Sequence, residues 1–212
     1  VNTLSSRLSR NSHAIDTLAY FAEQRQQPDL WQALADYYVV EARWPDAVKS
    51  YARAHALTSD LDLRRAIVFR LAAIYSGPLN DFENARTWLE NQLEANSGDV
   101  DILNCLADIE RRSGHKHQER VALTRAISLT VDEDQKVRLR IRLAELDNED
   151  NRHEIATERL RRAAAEFSSS PDVNESLADA LGKQNATDEQ AALLEAALHM
   201  TTEPGDKRRL SE

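Results

Sequence analysis

Glycine and proline are scarce, five of each in 212 residues, about 5% where average usage is near 12%. That is too little turn punctuation for a sandwich, a barrel or a doubly wound sheet. Five scattered glycines also exclude a phosphate-cradling loop. The single cysteine, Cys105, excludes an internal disulfide and any cysteine-based zinc cluster. No apolar run is long enough to span a bilayer. Bases are outnumbered, 27 against 36 acids for a net charge of −9, which argues against nucleic acid as the main partner. Lysine is rare among the bases (Lys49, Lys116, Lys136, Lys183 and Lys207), and the other 22 are arginine. That bias suggests a GC-rich, bacterial genome. With 42% hydrophobic and 30% charged residues, the chain is too apolar for disorder. What remains is an acidic, nearly all-helical protein.

What is present is a repeat. The pair Leu34-Ala35 returns as Leu71-Ala72, Leu106-Ala107, Leu143-Ala144 and Leu177-Ala178, at intervals of 37, 35, 37 and 34 residues. A second register follows each pair. Its large member is Tyr51, Leu89, Leu123, Leu160 and Leu194, and its following small member is Ala54, Gln92, Ala126, Ala163 and Ala197. The preceding small member is Ala47, Ala85, Glu119, Ala156 and Gln190. In Trp31-x-x-Leu34-Ala35-x-x-Tyr38 the steps of three, one and three place all four on one helical stripe. Ala47, Tyr51 and Ala54 form a second stripe, and residues 41–46 between them suffice only for a tight turn, with Pro45 suited to the first turn of the next helix. Each unit is an antiparallel helix pair in which alanines let backbones approach and Leu, Tyr and Trp fill the space beside them.

The set Trp31, Leu34, Ala35, Tyr38, Ala47, Tyr51 and Ala54 closely resembles a tetratricopeptide repeat, with Ala where that family usually has Gly after the leucine. The resemblance implies an all-α fold, a right-handed superhelical solenoid of antiparallel helix pairs, as one segment over 1–212. Its repeats would span 28–61, 65–99, 100–133, 137–170 and 171–204. Residues 1–27 would be a partial repeat, with 1–10 the tail of a first helix and Ala14 and Leu18 in the small and large slots of a second. Residues 205–212 would begin a further helix. Residues 59–64 and 132–136 lengthen two inter-unit turns, and Glu119 and Gln190 in a small-residue slot imply looser packing. Neither end carries a polar cap, so the chain reads as a fragment of a longer array, or as a short protein whose open ends close by self-association.

Motifs for chemistry are thin. His153-Glu154 lacks the second histidine of a zinc-protease pattern. His115-Lys116-His117 follows Gly114 in a tight intra-unit turn without a third ligand, and reads as a solvated loop. Asp147 to Asn151 is calcium-like in charge, but Arg152 stands where an EF-hand loop needs Gly, so this is read as a solvated acidic helix end. Cys105 lies between core positions as a small apolar filler. Asn185-Ala186-Thr187 matches a glycosylation sequon in a turn. No catalytic residue, metal site or cofactor is assigned.

The resemblance implies that first helices line a concave face. A second stripe, about 130° from the core stripe at roughly 100° per residue, reads Asp29, Gln32, Asp36, Val39; Ala66, Phe69, Ala73, Ser76; Asp101, Asn104, Asp108, Arg111, Arg112. It continues with Arg138, Ile141, Glu145, Asn148, Glu149 and then Asp172, Glu175, Asp179, Lys183. Nine acids against four bases make it acidic. The partner-binding set is Asp29, Asp36, Phe69, Asp101, Asn104, Asp108, Arg112, Arg138, Ile141, Glu145 and Asp179, with Phe69 and Ile141 as apolar anchors. It would receive a folded protein partner or an extended polar or basic segment, steered by a salt-sensitive field. Chaperone-binding members of the family hold a terminal carboxylate with Lys and Asn. Arg138 and Arg142 mimic part of that clamp, but Phe69 and Ala73 stand in the matching places two units earlier, which disfavours a co-chaperone. Function is thus expected to be a non-catalytic scaffold. One resemblance is to the repeat-rich periplasmic part of a Pel-type exopolysaccharide exporter, which implies recruitment of a polysaccharide-modifying enzyme to an outer-membrane pore. The alternative is a peptide-sensing or regulatory module in the bacterial cytoplasm.

Overall fold

The computed structural model describes residues 2–168, 170–184, 186, 190 and 191, of which residues 2–13 by their backbone alone. Among the described residues there are helices and turns and no strand. The chain divides into two compact units, residues 1–109 and 110–212.

The first unit holds α1 (Asn2–Arg25), α2 (Pro28–Val40), α3 (Trp44–Leu57), α4 (Leu61–Ser76), α5 (Phe82–Ala95) and most of α6 (Val100–Ser113). Helix starts follow local chemistry. Pro28 and Pro45 sit in the first turns of α2 and α3, where a missing N–H costs nothing. Asp60 accepts from the Asp62 and Leu63 amides, and Asp81 from the Asn84 amide. The turn from α2 to α3 bends at Ala42, held at φ +54°, while the Arg43 amide donates to the Tyr38 carbonyl at 2.8 Å. That is the αL helix ending usually reserved for Gly or Asn. Asn80 takes the same role after α4, at φ +50°.

Most members of both repeat registers are buried as the spacing requires, with Leu106 and Gln92 half-buried. Ala35, Ala47, Ala54, Leu71 and Ala85 are at most 1% exposed, as are Tyr51 and Leu89. Ala35, Ala47, Val48, Tyr51, Ala54, Ile67, Leu71 and Ile74 form one core, with Trp31, Tyr38, Trp44 and Trp88 packed against it. Truncating a leucine such as Leu71 in this setting costs about 2–5 kcal/mol. Two expectations change. Residues 61–64 belong to α4 and do not lengthen the turn before it, because the Asp60 cap starts the helix early. Residues 2–25 form one continuous helix, not parts of two, since no Gly or Pro interrupts them. Ala14 is exposed, and among the described side chains of α1 the buried small residue is Ala22.

The second unit holds the end of α6, then α7 (Lys116–Leu129), α8 (Glu133–Glu149), α9 (His153–Glu166) and α10 (Pro171–Lys183). Gly114 turns the chain at φ +79° between α6 and α7, and Asn151 does so at φ +59° between α8 and α9. Asp132 caps α8 through the Gln135 amide, so residues 133–136 are helix and not loop. Ala144, Ala156, Leu160, Leu177, Ala180 and Leu181 form its main core, and Val137, Ala163 and Val173 a second cluster beside it. Leu194, Ala197, the sequon residues Asn185 and Thr187, and residues 205–212 lie outside the described residues.

Two charged positions depart from expectation in this unit. Glu119 does not loosen its slot. It is 2% exposed and accepts from Arg142 Nε at 2.7 Å, tying α7 to α8. The acidic end of α8 is solvated only in part: Glu149 and Asn151 are exposed, but Asp147 is fully buried, held by Arg120 and by Arg159 Nε at 2.6 Å. Asp150 gathers Lys116, Arg120 and Arg152 at 2.9–3.1 Å. A fully buried carboxylate persists when its oxygens are paired in this way. His115 is not a solvated loop residue either. It is half-buried, with Nδ1 3.0 Å from the buried Glu110 carboxylate and 3.1 Å from the Ser113 hydroxyl.

Candidate partner-binding face

In the first unit the chosen residues sit on first helices but are less bare than their pattern suggests. Asp29 and Asp101 are exposed, while Asp36, Phe69, Asn104 and Asp108 are half-buried. Asp36 Oδ1 accepts from the Tyr51 hydroxyl and, at 2.9 Å, from Arg70 Nη1 on α4. Burial first, and the bond to Asp36 second, push the Tyr51 phenol up to about 12. Asp101 accepts from Arg65 Nη2 at 2.6 Å, and the same guanidinium makes two bonds to Asp99 and lies 5.0 Å from the Phe69 ring centre. Arg65 holds the Asp99 carboxyl below the usual range, against the opposing effect of burial. Asn104 Oδ1 is buried with no hydrogen-bond partner among the described residues.

In the second unit Arg112, Arg138, Glu145 and Asp179 are exposed and Ile141 is half-buried. Three of them converge. Ile141 and Glu145 of α8 and Asp179 of α10 line one cleft of about 100 Å³, together with Asn148, Leu160, Ser176, Ala180 and Lys183. The i, i+4 spacing of Ile141 with Glu145 and of Asp179 with Lys183 puts each pair on one helix face. The result is an apolar floor with a charged rim. Arg112 and Arg138 are not among its lining residues.

The face is less acidic than a count along one stripe suggests. Arg65 and Arg70 lie outside the stripe yet neutralise Asp101 and Asp36. Arg142 does the same for Glu145 at 3.1 Å and Glu149 at 2.9 Å, beside its bond to Glu119. Burial works against the charge on Arg142, and the carboxylates outweigh it, so its pKa is raised. Among the described residues Asp29, Asp172, Glu175 and Asp179 make no ion pair, and neither do Arg138 and Lys183 of the same stripe. The arginines had one legible signal. Asp36 to Arg70 and Arg65 to Asp99 are both separated by 34 residues, the length of one repeat. No group of three or more His, Cys, Asp or Glu able to hold a metal occurs among the described residues. No described helix is long and apolar enough to cross a membrane.

No protein-family model matches the sequence, and no curated protein matches it. Solved structures share its architecture. The MamA protein superposes with a TM-score of 0.59 at 15% identity, covering 82% of this chain and 91% of that one. A Podosopora anserina protein of kinesin light chain type, with nearly identical TPR-like repeats, gives 0.58 at 17% identity over 80% and 92%. YrrB, a TPR protein with an unusual peptide-binding site, gives 0.55 at 12% identity over 91% and 96%. At such identities the likeness is one of fold. Leu-Ala pairs buried in four of five first helices, with Leu106 half-buried in the other, the buried Ala47-Tyr51-Ala54 and Ala156-Leu160-Ala163 registers in second helices, and this likeness lead to one conclusion: the chain has the tetratricopeptide-repeat fold.

Proposed function

We propose that the chain is a non-catalytic interaction module that recruits a protein partner through the exposed face of its first helices. The observation that carries this reading is the cleft between α8 and α10, where Ile141, Glu145 and Asp179 meet. An apolar floor with carboxylates and one lysine at its rim suits a short apolar side chain flanked by basic or polar groups. In the first unit, Phe69 beside Arg65 supplies an apolar contact. The fold shared with YrrB, whose site takes peptide, favours an extended segment as the occupant. The Pel-type resemblance would set that recruitment in exopolysaccharide export, at the periplasmic side of the outer membrane. A cytoplasmic peptide-sensing role is the alternative.

The test is a peptide array of graded charge, with the best binder then titrated into the parent and into a Glu145→Lys, Asp179→Lys double variant. Selection of basic peptides containing one aliphatic residue, and at least a tenfold loss in the variant at low salt, supports the reading. Unchanged affinity in the variant rejects the acidic face. Failure of all peptides, with a folded partner captured from the host, would shift the reading from peptide sensing to scaffolding.

A further inference from the structure

A second cleft lies elsewhere in the second unit, between α7 and α9 over α8, and is lined by three arginines. Its volume is about 320 Å³, and its walls are Thr124 and Ile127, Arg140 and Leu143, and Arg159, Arg162 and Glu166. The spacing is helical on each element, so three helix faces converge on it. That volume is at the lower end of the range for small-ligand sites. Three guanidiniums and one carboxylate line it, in a chain of net charge −9.

The guanidiniums retain donors for a ligand. Arg159 spends Nε on Asp147, a single carboxylate that already takes Arg120. Arg162 spends Nε on Glu158 in an exposed pair, its side chain 77% accessible, which water screens and a ligand displaces at little cost. Arg140 lies 5.2 Å from the Phe167 ring centre and directs Nη1 to Glu166 at 2.5 Å, with Lys136 Nζ at 4.0 Å from the same carboxylate. Each guanidinium has five N–H groups in a planar fork that matches phosphate and carboxylate oxygens. Glu166 thus shows that an oxyanion seats on Arg140. Ile127 and Leu143 offer the ligand an apolar floor.

We infer that this cleft binds an oxyanion, best a phosphate monoester carried on an apolar stem. The test titrates phenyl phosphate, inorganic phosphate and phenol into the full isotope-labelled chain at constant ionic strength, followed by amide NMR. Phenyl phosphate should perturb amides around Thr124, Ile127, Leu143 and Arg162 and bind at least tenfold more tightly than phenol. Arg162→Glu, an exposed change that leaves the fold intact, should weaken it at least tenfold. Glu166→Gln should strengthen it severalfold by removing the resident carboxylate from Arg140. Shifts scattered over the surface arginines, equal binding to Arg162→Glu, or phenol binding as well as phenyl phosphate would each overturn the inference. A phosphotyrosine peptide in parallel separates the sources: tighter binding than phenyl phosphate assigns the group to a protein side chain, and equal binding assigns it to a small molecule.

Discussion

Replacing Glu119 by Ala sets the repeat pattern against the structure. Three of the five units carry Ala at this position (Ala47, Ala85 and Ala156), so reasoning from the consensus makes Glu119→Ala stabilising. The structure reverses the sign. Glu119 is 2% exposed and accepts from Arg142 Nε at 2.7 Å, a charge-assisted bond worth about 1.5–3 kcal/mol. Breaking a buried pair outright costs about 3–5 kcal/mol, but Arg142 keeps Glu145 and Glu149, and removing the buried carboxylate relieves its desolvation. The net loss should be about 1–3 kcal/mol, which at roughly 2–4 °C per kcal/mol for a chain of this size lowers Tm by several degrees. Thermal and urea unfolding followed by circular dichroism measure it. Adding Arg142→Met removes the stranded donor and should restore stability to within about 1 kcal/mol of the parent. An increase in Tm for the single variant, or simple additivity of the two changes, would refute the argument that this pair fills the slot.

Ala42→Gly should stabilise the chain by about 0.5–1 kcal/mol, since Ala at φ +54° carries an αL penalty that exceeds the unfolded-state entropy glycine adds; denaturant midpoints decide it. Ala107→Leu forces bulk into a position 4% exposed and should cost roughly 1–3 kcal/mol, so an unaltered melt would show that α6 is in a different packing register. Asp99→Asn keeps the cap on Ile102 but loses the charge facing Arg65. Because the folded pKa of Asp99 is lowered, its contribution is complete above the unfolded value near 3.9 and is lost as pH falls below it through the folded value. Arg65 is 36% exposed, so screening limits the effect to about 1 kcal/mol. The gap between parent and Asp99→Asn should be constant from about pH 5 to 8 and close below about pH 4, and a gap that persists in acid would contradict the pairing.

How much is legible in the sequence divides along the range of the forces involved. Periodicity and side-chain volume act within a turn or two of helix. Leu34-Ala35, Tyr51 and their copies therefore mark the buried stripes, and residues 41–46 mark a turn, by their spacing alone. The same local logic places Glu145 and Asp179 on exposed faces, while Ile141 is half-buried against the core. What chain order does not supply is which helix stands opposite which at atomic distance, and charge is decided there. Arg65, Arg70 and Arg142 neutralise acids that one stripe presents as bare. Asp147 is buried because Arg120 and Arg159 reach it from two other helices. Periodicity by itself determined the fold, because burial of a stripe depends on composition every few residues. Only the tertiary structure decided the sign of each surface and the contents of the Glu119 slot, because Coulomb pairing and hydrogen bonding fall off within a few ångströms and depend on neighbours distant in the chain.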